Sequence, residues 1–289
     1  MLFGTAGTAQ ALGPDAATPL GVGAERIAVG TLVLWLAIAV AGPSLAEISM
    51  AVRAHWRPML VGGVGVAVYT PAFLLSVDRT GVALGTVVAI GVGPFCAGAM
   101  EWAWRSVRPG GAWFVGTLVT VAGGVLLVAS KSSDASDAVD GTGLVLALAA
   151  GAGYALYSVT AKSTMSSGVT PTLALAAPFT VGSIVVAVLA VREPFGWIAT
   201  GDGALMALHL GIAATGLAYL MFGYGLHRLT SATTVTLVLA EPLTAALLAT
   251  LVLDETIAPL GWLGVVAVLI GLLVVGRAAE VSIEPVPVG

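Results

Sequence analysis

Apolar runs separated by short polar or Gly/Pro breaks occupy nearly the whole chain, near residues 1–12, 19–41, 58–77, 82–104, 112–129, 142–162, 170–191, 203–226, 229–253 and 259–276. A hydrocarbon core of roughly 30 Å takes about 20 helical residues to cross, and lipid offers unpaired backbone groups no partner. The expected fold is therefore an all-α membrane protein with about ten transmembrane helices. Composition points the same way: 58% of the 289 residues are hydrophobic and 9% are charged, against about a quarter charged in soluble domains. No soluble core hides that much apolar surface. The net charge of -4 is spread over loops without a basic stripe, which argues against nucleic acid. A lipid bilayer and a small-molecule substrate are the partners expected. The single cysteine, Cys96, forms neither an intrachain disulfide nor a cysteine-based metal cluster, and no metal or cofactor is expected.

The first run is short. At 1.5 Å per residue it rises only about 18 Å, so either its helix extends past Gly13 and Pro14 or the reading frame begins upstream of Met1. No cleavable signal is evident.

The segment KSSDASDAVDG, Lys131 to Gly141, is the one linker of soluble character and splits the chain near its middle. Shifting the chain by 148 residues places Thr86 on Thr234, Pro94 on Pro242, Gly116 on Gly264 and Gly123 on Gly271. A shift of 152 matches Thr18 to Thr170, Pro19 to Pro171 and Gly30 to Gly182, and one of 150 puts Tyr69 on Tyr219. The organisation expected is a first repeat over 1–129, a polar linker over 130–141, a second repeat over 142–277 and a disordered cytoplasmic tail over 278–289. With five helices each, the repeats enter the membrane from opposite sides. Two inverted halves have two near-equivalent packings, which is the physical basis of alternating access in secondary transporters.

Orientation follows from positive residues, which are retained in the cytoplasm. With the N-terminus inside, Arg53, Arg57, Arg105, Arg108, Lys162, Arg228 and Arg277 are cytoplasmic and Arg79, Lys131 and Arg192 are outside. Seven against three places both termini in the cytoplasm of a cell with an inner membrane. Trp56, Trp102, Trp104 and Trp113 fall at the inner boundary and Trp197 and Trp262 at the outer one; Trp35 is mid-helix and fits neither belt.

Glu241 stands near the centre of the ninth run with no other charge within a dozen residues. A carboxylate at that depth faces a cavity, pairs with a cation or holds a proton. Pro242 and its repeat mate Pro94 each remove a helical hydrogen bond and free a carbonyl, a helix break or hinge at membrane depth. Arg26, about two turns into the second run, needs Glu25, another carboxylate or an anionic substrate group as partner. Tyr69, Tyr154, Tyr157 and Tyr219 bring hydroxyls into apolar helices, and Gln10 and Thr8 are polar groups of the first helix; all are candidates for a cavity lining. Interhelical bonding would serve them equally. His209 reads as interfacial or structural, and Glu101, in MEWAWR, as a solvated boundary residue. The three histidines are isolated and no HExxH, GxSxG or P-loop occurs, so an enzyme is not expected.

Four segments carry a resemblance: GTAGTAQALGP in the first helix, AERIAVGTLVL around Arg26, TGVALGTVVAIGVGPFCAGA, and TSATTVTLVLAEPLTAALLATLVLDETIAPLGWLGVVAVLIGLLVV. The last is the most specific, with Ser231 and Ala232 opening the ninth helix, Pro242 inside it, Asp254 and Glu255 closing it, and Gly264 and Gly271 in the tenth. On these segments the chain resembles the drug/metabolite transporter superfamily in its ten-helix EamA-type branch. The resemblance implies a proton-driven or exchange-type carrier of amino acids, related metabolites or drugs, with a cavity between the halves and an exporting direction. It selects no substrate, coupling ion or oligomeric state. The chain departs from the pattern in its short first helix and in Val107, which occupies the position matching Glu255. A sensor or assembly protein that keeps the fold without transporting is the alternative.

Overall fold

The computed structural model describes residues 1–130, 140–252 and 256–282, without the side chains of 81–83 and 280–282. Most of the polar linker, the acids Asp254 and Glu255, and the tail from residue 283 lie outside the described residues.

A short turn, Leu2–Thr5, runs into α1 (Ala6–Ala11). Nine helices follow that, among the described residues, are long and apolar enough to cross a membrane. They are α2 (Pro19–Ala41), α3 (Leu45–Thr80), α4 (Leu84–Arg105), α5 (Gly111–Ala129), α6 (Gly141–Ser166), α7 (Pro171–Leu189), α8 (Gly201–Arg228), α9 (Ser231–Val252) and α10 (Pro259–Ala279). The architecture is thus the all-α, ten-helix one that the apolar runs imply. Helix starts follow local chemistry. Thr18, Ser44, Asp140, Thr200 and Thr230 each accept a backbone N–H of the first turn, and Pro19 and Pro171 occupy first helical positions. At Asp140 the Thr142 N–H holds the carboxyl below the usual carboxylate range, with Arg79 3.4 Å away adding to the effect.

Two boundaries differ from expectation. α3 begins at Leu45 rather than near residue 58, because Ser44 and Glu47 form a reciprocal capping box that starts the helix within a polar stretch. The last helix continues to Ser282, beyond the expected end at 276.

α3 and α4 form a tight hairpin. Gly65 abuts Gly153 of α6, whereas Ala89 abuts Gly151. Two positions of α6 only two residues apart can touch residues 65 and 89 only where α3 and α4 run back alongside one another. Helix pairs related by the internal repeat also pack crosswise. On α5 and α10, Gly116 meets Gly271 and Gly123 meets Gly264, so each glycine touches the counterpart of the other. On α2 and α7, the counterparts Thr31 and Ser183 hydrogen-bond at 2.7 Å, and Trp35 Nε1 donates to Thr180 Oγ1 at 2.9 Å. Each of these contacts joins two helices that the sequence shifts of 148 and 152 relate. They also explain Trp35, whose indole is satisfied between helices.

Close approach sets the α5–α10 seam. A Cβ on Gly123 would stand 2.6 Å from the Val268 nitrogen and 2.8 Å from the Gly264 oxygen, whereas one on Gly124 meets nothing within 4 Å. In lipid, helix association depends on such packing rather than on a hydrophobic drive. Gly123→Leu is therefore expected to cost about 1–3 kcal/mol, read as a lower unfolding temperature in detergent, with Gly124→Leu nearly neutral as the control.

Candidate functional site

Four of the five tyrosines in the chain converge from three helices. Tyr69 of α3 lies 5.4 Å from Tyr154 of α6, ring centre to ring centre, and Tyr154 lies 6.5 Å from Tyr157. Tyr157 is 6.0 Å from Tyr219 of α8. Phenylalanines complete the box: Phe3 at 5.0 Å and Phe179 at 4.5 Å from Tyr219, and Phe222 at 6.4 Å from Tyr157. Edge-to-face and tilted geometries predominate, as ring quadrupoles favour. The hydroxyls of Tyr154 and Tyr157 are buried without a protein partner. A buried hydroxyl without a bond is costly, so these two are free for a polar guest.

Two charged residues, from α2 and α9, join the site. Arg26 Nε donates to Thr215 Oγ1 of α8 at 3.3 Å. Its guanidinium is within electrostatic reach of the Glu241 carboxylate and of Tyr69 and Tyr219, and Glu241 acts in turn on Tyr69, Tyr154 and Tyr219. Arg26, Glu241, Tyr69, Tyr154, Tyr157 and Tyr219 are therefore one constellation. Glu241 is the eleventh residue of the 22-residue α9, and Tyr154 the fourteenth of the 26-residue α6, so the constellation lies near mid-depth.

Local structure explains how an acid stands there. α9 is interrupted: one segment ends at Val238, the Leu239 N–H turns back to the Thr236 carbonyl at 3.0 Å, and a second segment starts at Ala240. Pro242 falls in the first turn of that second segment, where a missing N–H costs nothing. Glu241 is thereby presented on a helix N-terminus inside the membrane, whose free N–H groups and dipole favour negative charge. The N-terminal turn Leu2–Thr5 closes over the break, since a Cβ on Gly4 would stand 2.6 Å from the Glu241 carbonyl oxygen. Its repeat mate behaves differently. α4 runs through Pro94 without interruption, with α6 packed on both sides of the proline: Ala89 and Gly93 lie on Gly151 before it, and Ala97 clusters with Ala155 and Val159 after it. The two prolines are not equivalent breaks.

Several other expectations are corrected. Arg26 does not use Glu25, whose two oxygens have no hydrogen-bond partner. Gln10 is exposed and its amide donates to the Ala6 carbonyl of its own helix at 3.2 Å. His209, by contrast, has the structural role expected of it: it bonds Thr5 Oγ1 at 2.8 Å, tying the N-terminal turn to α8. Glu101 is 1% exposed rather than solvated. Its oxygens accept the backbone N–H groups of Ser231 and Ala232 at 2.8 and 2.9 Å, and Arg105 stands 3.5 Å away. The sequence reading also missed Thr215 and the three phenylalanines, which carry no local signal that distinguishes them from packing residues.

Comparison with known proteins fits this geometry. The EamA-like transporter family matches residues 141–277. An uncharacterized transporter of Bacillus subtilis, YwfM, is 38% identical over 276 residues, covering 96% of this chain and 90% of its own. The threonine/homoserine exporter RhtA of Escherichia coli K12 is 29% identical over 279 residues, covering 92% and 84%. A solved crystal structure superposes with a TM-score of 0.81 at 19% identity, covering 98% of this chain and 95% of the other, which bears on the fold alone.

Proposed function

The chain belongs to the EamA-like transporter family, and from that premise we propose that it exports small zwitterionic metabolites of the α-amino acid class by alternating access. The observation that carries this reading is one arginine and one glutamate, Arg26 and Glu241, within electrostatic reach of a box of tyrosines near mid-depth. An α-carboxylate fits the guanidinium, whose planar donors match two oxygens. An α-ammonium fits Glu241. The free hydroxyls of Tyr154 and Tyr157 suit a polar side chain, in keeping with the hydroxylated amino acids that name the E. coli relative. In this reading the units 1–129 and 142–277 rock about their crosswise helix pairs, with both termini cytoplasmic and the break at Leu239 absorbing part of the change.

The test is flux. Purified protein in liposomes loaded with labelled threonine or homoserine should show saturable efflux. The zwitterions should compete for it, and the matching amine without a carboxylate or hydroxy acid without an ammonium should compete far more weakly. Absence of saturable flux for every α-amino acid tried would exclude the substrate class.

A further inference from the structure

Thr215 is the residue of α8 that meets Arg26, and its hydroxyl is not used as those of other threonines in the bundle are. Thr31, Thr120, Thr160, Thr180 and Thr236 each donate to the carbonyl four residues back in their own helix, at 2.7 to 2.8 Å. Such back-bonding satisfies a hydroxyl that an apolar helix would otherwise strand. Thr215 makes no such bond: among the described residues Arg26 is its one hydrogen-bond partner. The reason is local. His209–Leu217 is a π-helix, a form whose main-chain bonds run to the fifth residue and whose wider turn moves the fourth carbonyl from beneath the side chain.

Close packing fixes which way Thr215 points. α2 lies along the π-helical stretch, where Cβ atoms on Gly211 and Gly216 would stand 2.5 Å from Val29 Cβ and 2.6 Å from Val33 Cβ. A Cβ on Gly30 would collide with the Thr215 methyl and stand 3.0 Å from the Thr215 Cβ. Gly30 is one turn after Arg26, so the methyl is seated on Gly30 and the hydroxyl is turned to the guanidinium. That hydroxyl accepts the Nε–H, which leaves its own proton without an acceptor. Glu25, which packs on the same stretch at Gly211, does not take it, because neither of its oxygens has a partner. Thr215 is 2% exposed, so bulk water does not take it either. One turn further along α8 stands Tyr219, which puts Thr215 at the edge of the tyrosine box.

We propose that Thr215 completes the carboxylate subsite: it holds the Arg26 guanidinium by Nε and gives its own hydroxyl proton to the substrate carboxylate. A guanidinium is a rigid planar fork in which the Nε–H and one Nη–H point the same way. Thr215 occupies the Nε place. A substrate oxygen that takes the parallel Nη–H therefore lies beside Oγ1 and accepts its proton as well. The carboxylate meets donors from two helices, and its position on Arg26 is set by α8. The inference rests on the zwitterion reading for the substrate, and on the Arg26 contact alone for the rest.

Transport and a measurement without substrate test the two parts. In liposomes, Thr215→Ala and the isosteric Thr215→Val should raise KM for threonine about 10- to 100-fold with Vmax little changed, because a hydrogen bond to a charged group is lost. Thr215→Ser, which loses the methyl as alanine does, should recover most of that affinity, so the hydroxyl is isolated even where valine lowers the yield. Inhibition by the hydroxylated amine that lacks the carboxylate should not follow the change in KM. In purified full-length protein labelled with 15N-arginine, the Arg26 Nε–H resonance is identified by its absence in Arg26→Lys. It should shift and exchange faster with water in Thr215→Ala and Thr215→Val than in the wild type and Thr215→Ser. An unchanged KM in both, no recovery by serine, an equal loss for the amine, or a resonance indifferent to these substitutions overturns the proposal. Wild-type protein that binds no amino acid fails the zwitterion reading and the substrate part with it, while the resonance still decides whether Thr215 holds the guanidinium.

Discussion

Arg26→Gln is expected to weaken threonine binding by about 2–4 kcal/mol, a factor of roughly 30 to 1,000 in KM, because a buried guanidinium–carboxylate contact is lost. The hydroxylated amine that lacks the carboxylate should bind the variant no worse than the wild type, since it never used the guanidinium. The substitution has a second cost. Glu241 would stand near mid-depth without the cation that acts on it, and breaking one side of a buried pair is more damaging than removing both. Arg26→Gln should therefore unfold at a lower temperature in detergent, and the double change with Glu241→Gln should recover part of that loss while restoring no flux. A double-mutant cycle measures the coupling. Equal loss of affinity for the amine and the zwitterion, or additive stability changes, would show that Arg26 and Glu241 do not act as a pair on the substrate.

The sequence exposes some parts of this architecture and hides others for physical reasons. Membrane helices announce themselves, because lipid demands an apolar run of fixed length whatever the neighbours are. The glycines at 116, 123, 264 and 271 were legible through the repeat, since close packing at related positions needs the same missing side chain. Arg26 and Glu241 stand out because charge in an apolar run is rare. What one dimension does not show is which partner a charge finds. Glu25 and Arg26 are neighbours in the chain, yet the helix turns one toward Gly211 and the other toward Thr215. Pro94 and Pro242 align in the repeat, yet only α9 is interrupted, because packing by α6 on α4 keeps one helix continuous. Glu101 is the sharpest case: near the end of α4, between Ala and Trp, it resembles any interfacial acid, and its partners lie 130 and 131 residues away.

Those partners make Glu101→Ala the substitution with the largest expected effect on folding, about 3 kcal/mol. The N-terminus of α9 has donors that its own helix cannot satisfy. Thr230 Oγ1 takes the Thr233 N–H, the Thr230 carbonyl takes that of Thr234, and Glu101 takes those of Ser231 and Ala232. Ser231 is fully buried and Ala232 is 1% exposed, so water does not replace the carboxylate when alanine removes it. Two charge-assisted bonds are lost and two N–H groups are stranded, with Arg105 left beside them. Glu101→Gln keeps one accepting oxygen and should cost about half as much. The repeat shift of 148 puts Ala249 where Glu101 stands, so the opposite end of the α4–α9 pair has no such cap. The loss should accordingly be local: hydrogen exchange should quicken at Ser231 and Ala232 and along the segment to Val238, and stay unchanged in the segment from Ala240. Uniform quickening along both segments, or none, would mean that the carboxylate is not what holds this end of α9 to α4.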